Sequence, residues 1–175
     1  RYNMPEGEDI ERLPLDAEMV IPVCSPGYLE EHGLIDGPEG LKGQVLASLM
    51  GRMRIPWTRF LDVMDMGPMR DATELGFSDY ALVIQGAIKG QGVALGWWHV
   101  VAGEILSGGL VPASTRLLKT GASYHLVMRR SATSRPAVQK VRDWLMAEFT
   151  ELEACRAELG LTPVHCDLSN PVIPE

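Results

Sequence analysis

In the run Gly76-Phe77-Ser78-Asp79-Tyr80, a short polar side chain stands just before an apolar-periodic segment. Ser78 or Asp79 can therefore accept a hydrogen bond from the orphan N–H groups of a first helical turn and act as its N-cap. The N–H donors and the positive end of the helix dipole at such a terminus also favour a carboxylate or another anion. Ser78 is thus the leading candidate for a ligand contact, set against the commoner role of a serine there, which is capping alone.

Aromatic residues are the next candidates. Phe77 precedes the cap, where a side chain can turn either into the core or towards a cleft. Trp97 and Trp98 are adjacent, and successive strand side chains alternate, so a continuing strand would send one into the core and the other to a cleft or subunit surface. A rigid indole covers a small ligand at little entropic cost, although core filling is its more frequent use. Trp57 carries the same two options.

Catalytic patterns are weak by comparison. Ser25, Ser78 and Ser107 lie outside any G-x-S-x-G elbow, and no His or Asp spacing suggests a triad. Gly90-Gln91-Gly92 follows a helix, whereas a dinucleotide loop follows a strand and opens a helix. Asp62, Asp65, Glu74 and Asp79 lack the spacing of a calcium loop. His165 and Cys166 are adjacent, but a metal site there would need His32, His99 or His125 to converge from afar. The sequence gives no positive evidence for an enzyme and no call for a cofactor.

The elements that must position these residues alternate between strand and helix. Met19 to Cys24 is apolar and extended, with a break expected at Pro22. Ser25-Pro26 then opens a helical turn over residues 27–32, with Ser25 as cap and Pro26 at the first position. Residues 38–51 suggest a short helix or turn and then a strand, residues 69–75 a strand or extended approach, and the segment around Phe60 and Leu61 is ambiguous. After the cap, Ala81, Leu82, Ile84, Gln85 and Ile88 recur at helical spacing and are expected to face a sheet. Gly90 and Gly92 stop that helix, and Val93-Ala94-Leu95 reads as a strand buried on both faces. Residues 100–106 suggest a helix stopped by Gly108-Gly109, with Leu110-Val111 a strand. Residues 123–130 alternate as a strand. Ser134 is expected to cap the next helix, with Pro136 in its first turn and a stripe of Val138, Val141, Trp144, Leu145, Glu148 and Phe149. Residues 160–175, with three prolines, read as an extended tail.

Three blocks of this sequence, residues 17–29, 76–98 and 105–111, resemble the effector-binding domain of LysR-type bacterial transcriptional regulators, in the family's order and over roughly residues 1–149. The resemblance implies an α/β, periplasmic-binding-protein-like (type II) domain of two lobes, with the second lobe complete and the first partial. Residues 1–22 would be a remnant of the first lobe and the crossover, and 23–121 the second lobe. Residues 122–159 would return to the first lobe, and 160–175 form the tail. A small-molecule effector would bind between the lobes. Ser78, Phe77, Trp97, Trp98, Trp57, Arg1 and Tyr2 are the candidate contacts, Arg1 as a bidentate carboxylate partner. Arg1-Tyr2 resembles the end of a first-lobe strand, so the family's winged helix-turn-helix and much of the first lobe are expected to lie outside these residues. A homodimer or homotetramer and a cytoplasmic location also follow from the resemblance.

Composition narrows the alternatives. At 175 residues and 46% hydrophobic content, the chain can bury one substantial core. A formal charge of −7 opposes phosphate binding, so DNA contact is expected only through the family's separate reader domain. No apolar run reaches the length of a membrane span, and no basic-then-apolar leader is visible. Three cysteines fit reduced thiols better than a disulfide framework. The competing reading on the same scaffold is a transporter's solute-binding component, which a secretion signal would mark.

Overall fold

The computed structural model describes residues 9–51 and 53–166, and shows a single mixed sheet covered on both faces. Its strands are β1 (Ile10–Cys24), β2 (Val45–Leu49), β3 (Thr73–Phe77), β4 (Val93–Trp97), β5 (Val111–Pro112), β6 (Arg116–Arg129) and β7 (Thr162–His165). They run in the order β3-β2-β4-β1-β6-β7, with β5 also pairing with β1. β2 is parallel to both β3 and β4, while β1 is antiparallel to β4 and β6. The helices are α1 (Pro26–His32), α2 (Gly37–Gly40), α3 (Trp57–Val63), α4 (Tyr80–Ile88), α5 (Trp98–Leu106) and α6 (Pro136–Glu158).

Strand alternation sorts the core into two layers. Val20, Cys24, Leu46, Val93, Leu95 and Leu118 point to the face covered by α1 and α3, where Tyr28, Trp57, Phe60 and Leu61 close it. Met19, Ile21, Val23, Ala47, Ala94 and Leu117 point to the other face, beneath α4 and α5. Because both faces are covered, residues 19–24 and 93–96 are buried throughout, which is why they read as unbroken apolar runs.

Local chemistry fixes the connections. Ser25 caps α1 by accepting a bond from the Tyr28 N–H at 3.2 Å, with Pro26 in the first turn, as expected. Gly92, at φ +152°, passes so close to Val45 that an added Cβ would lie 2.5 Å from its carbonyl oxygen; only glycine leaves α4 for β4 this way.

Four expectations need correction. Pro22 does not break β1: its carbonyl accepts from the Ala113 N–H, so its missing donor falls on the side where β6 gives way to the two-residue β5. The buried face of α4 is Val83, Ile84, Gly86 and Ala87, with Leu82 48% exposed; the sheet-facing stripe sits about one residue away from the expected one. Arg135, not Ser134, is the N-cap of α6, and it makes no side-chain cap bond; Pro136 alone presets that first turn. Within the expected tail, Thr162–His165 pairs in parallel with Arg116–Lys119 as β7, despite Pro163.

Beyond the sheet, residues 10–17 of β1 and 123–129 of β6 continue as a ribbon, and two register shifts, between Pro14 and Asp16 and between Ala17 and Met19, mark where it joins the sheet. α6 attaches by its last turns, where Leu152, Cys155 and Leu159 pack on the α5 layer. Val141 and Trp144, earlier on α6, are exposed. No described helix is long and apolar enough to cross a membrane.

Candidate functional site

The parallel strands β2, β3 and β4 all point their carboxyl ends at one edge of the sheet. The chain leaves β2 for α3 on one face but leaves neighbouring β4 for α5 on the other, the reversal that in open α/β sheets leaves a crevice between the two exits. That is a topological switch point, where ligands of open α/β sheets bind. The antiparallel β1 brings Glu18 to the same edge, and β6 brings Thr120 and Tyr124.

Glu18 is the centre of this edge and was not singled out by the sequence. It is 3% exposed, in the middle of β1 between Ala17 and Met19. Its Oε1 accepts from Trp97 Nε1 and from the Tyr124 hydroxyl, both at 3.1 Å. Its Oε2 accepts from the Thr120 hydroxyl at 2.6 Å and pairs with the Arg54 guanidinium. Buried carboxylates persist when charge and hydrogen bonds are both compensated, and here four residues from three segments supply the donors. The signal in the sequence was a lone acid, Glu18, before the apolar run 19–24; only pairing across 36 to 106 residues gave it partners.

Aromatic side chains surround the carboxylate. The Tyr80 ring meets Trp97 edge-on at 5.3 Å, while its hydroxyl donates to the Leu95 carbonyl and accepts from the Trp97 N–H. Burial pushes the Tyr80 phenol up to about 12, against a smaller opposing effect of the Trp97 N–H, so it stays protonated. His99 stands against Tyr124 at 4.2 Å. Partial desolvation lowers the His99 pKa, and the Asp16 carboxylate partly offsets this.

The candidate residues fall in different places. Asp79, not Ser78, caps α4, accepting from the Ala81 N–H at 2.7 Å; Ser78 is exposed beside it. The Phe77 ring lies against Gly86, where a Cβ would come within 2.8 Å, and so seats α4 on β3. Trp57 is 1% exposed and donates its Nε1 to the Ala47 carbonyl at 2.9 Å, fastening α3 to β2. The strand ends at Trp97 and a helix starts at Trp98, so their separation comes from this change of element. Trp98 is 2% exposed in the core with Arg156 over its ring at 5.8 Å, while Trp97 is half-buried at the end of β4 with its Nε1 on Glu18. Arg1 and Tyr2 lie outside the described residues.

Other chemistry is sparse. Among the described residues no group of three or more His, Cys, Asp or Glu side chains converges as a metal site, His165 and Cys166 included. The three cysteines are unpaired thiols, and burial pushes Cys24 up to about 11, which leaves it unreactive. A concavity of about 410 Å³ runs along α3 from Thr58 to Asp62 and on to Pro68 and Met69.

The mixed α/β sheet covered on both faces has the periplasmic-binding-protein-like type II fold, with a polar, aromatic cluster around Glu18 at its switch point. The chain belongs to the LysR substrate-binding-domain family, whose model matches residues 1–150. It is 31% identical over 148 residues to the glycine cleavage system transcriptional activator of Escherichia coli, a match covering 85% of this chain and 47% of that protein. The chain thus spans about half the length of the curated relatives it matches. The fold is shared with the effector-binding domain of AmpR from Citrobacter freundii, at TM-score 0.58 and 20% identity over 86% of this chain and 73% of that one. It is shared as well with the regulatory domain of CrgA from Neisseria meningitidis, at TM-score 0.56 and 18% identity over 85% and 73%.

Proposed function

We propose that this chain is the effector-sensing part of a LysR-type transcriptional regulator, binding a small metabolite at the crevice beside Glu18 and Trp97. The family match across residues 1–150 carries the reading, and the regulators among its relatives disfavour the transporter alternative. Ser78 beside the α4 cap, with Trp97 and Tyr124 on the crevice walls, would contact the effector. Phe77, Trp57 and Trp98 would hold those walls in place. Residues 23–121 would form one lobe, and the ribbon of β1 and β6 would connect it to the other. A bound effector can shift the regulator only by binding one arrangement of lobes or subunits more tightly than another.

DNA contact would come from segments outside these residues, in a cytoplasmic homodimer or homotetramer, without catalysis. The test is a metabolite screen on the intact regulator, by thermal shift and then calorimetry, followed by operator gel shifts with and without each hit. A compound that binds and changes operator affinity is expected. Hits that bind this domain yet leave DNA binding and transcription untouched would contradict the regulatory reading.

A further inference from the structure

The Glu18 corner also says which chemical class of ligand it suits. Arg54 belongs to the connection between β2 and α3, and its guanidinium rests on a carboxylate whose side chain is 4% exposed, while the Arg54 side chain itself is 22% exposed. Arg54 therefore bridges this buried acid to the surface, its Nη2 buried against Glu18 and the rest of the side chain partly exposed. The surrounding surface suits a cation too. Trp97 and Tyr124 donate to Glu18 and so hold their rings beside it, Tyr80 stands edge-on to Trp97, and aromatic rings with a carboxylate attract ammonium and guanidinium groups.

An anion finds less here. Arg54 is compensated by Glu18, so its positive charge is largely cancelled for an incoming carboxylate. At the α4 terminus the Asp79 carboxylate already takes the Ala81 N–H and places a negative charge where an anion would sit. We infer that this corner is a subsite for the cationic end of the ligand, an ammonium or guanidinium, which takes the place of Arg54 on Glu18. The inference rests on the effector-binding reading above. It adds a consequence: ligand entry releases the Arg54 connection, so binding and movement of residues 53–56 are coupled.

Butylguanidinium and butyrate, equal in chain length and opposite in charge, serve as probes in calorimetry on the 175-residue chain. Butylguanidinium is expected to bind the parent weakly and Arg54→Ala about tenfold more tightly, because the internal competitor is gone. Glu18→Gln in the Arg54→Ala background should abolish that gain. Arg54→Gln is the second variant; should neither fold alone, refolding in millimolar butylguanidinium is expected to restore the folded state, and absence of rescue overturns the proposal. Equal or weaker binding by Arg54→Ala, or binding that survives Glu18→Gln, also overturns it. Butyrate binding that is lost in Arg54→Ala would make Arg54 an anion receptor. That outcome overturns the cation subsite while leaving the effector-sensing reading intact, since the latter is decided by the metabolite and operator experiments on the intact regulator.

Discussion

Trp57 illustrates how a residue type leaves its role open. The same indole that could wall a ligand site is held in the core by a bond from its Nε1 to the Ala47 carbonyl and an edge-on contact with Phe60. Trp57→Phe removes that donor and some core volume, and is expected to cost about 2 kcal/mol, read from the urea midpoint. Asp36 is a second case. Its carboxylate accepts from the Ser114 hydroxyl, the Thr115 N–H and the Thr115 hydroxyl, tying α2 to the turn before β6. Burial would raise its pKa, but these bonds and the nearby Arg116 together outweigh burial and leave it below the ordinary aspartate value. A depressed folded pKa means that the unfolded chain takes up the proton first. This contribution is therefore complete above the unfolded value, near pH 4, and fades as pH falls through the lower folded value. Asp36→Asn should flatten the acid limb of stability against pH over that window; an unchanged limb would count against the network.

At the scale of elements, α4 was legible and its burial was not. A polar residue before the helix and glycines after it marked both ends, because caps and stops are local backbone chemistry. Choosing Asp79 over Ser78 depended on which side chain faced the Ala81 N–H, and the sheet-facing side depended on the angle at which α4 crosses β2 and β4. Asp79→Ala is expected to lower stability by about 1 kcal/mol, whereas Ser78→Ala should change it by less than about 0.5 kcal/mol. Chemical denaturation of the two variants distinguishes them. Ser78→Ala can then be assayed for effector affinity without a folding defect to confuse the result. β7 was illegible for a different reason: three prolines in residues 160–175 suggested an unpaired tail, and only the open side of β6 gave four of those residues a partner.

Across the whole molecule, α6 is joined to β1 by a buried charge pair, beside the apolar packing of its last turns on α5. Arg156 is the buried residue of that helix, and its Nη1 meets Asp16 Oδ2 at 2.6 Å on the strand segment flanked by the two register shifts. Both side chains are about a tenth exposed, and removing one partner strands the other. Arg156→Gln is expected to cost on the order of 3 kcal/mol and to speed amide exchange across residues 152–159 before the central strands respond. Equal acceleration in β4 would mean that the pair supports the entire lobe.

Alternating strand and helix signals, the Ser25 cap, the buried runs at 19–24 and 93–95 and the three family blocks were determined by the sequence itself, because each depends on neighbours within a few residues. The site was decided elsewhere. Glu18 finds Trp97, Thr120 and Tyr124 only when β1 lies between β4 and β6, and Arg54 joins them only when the chain turns from β2 into α3. A buried charge is tolerable only with its partners in place, and those partners are brought together by strand order, which no local pattern encodes.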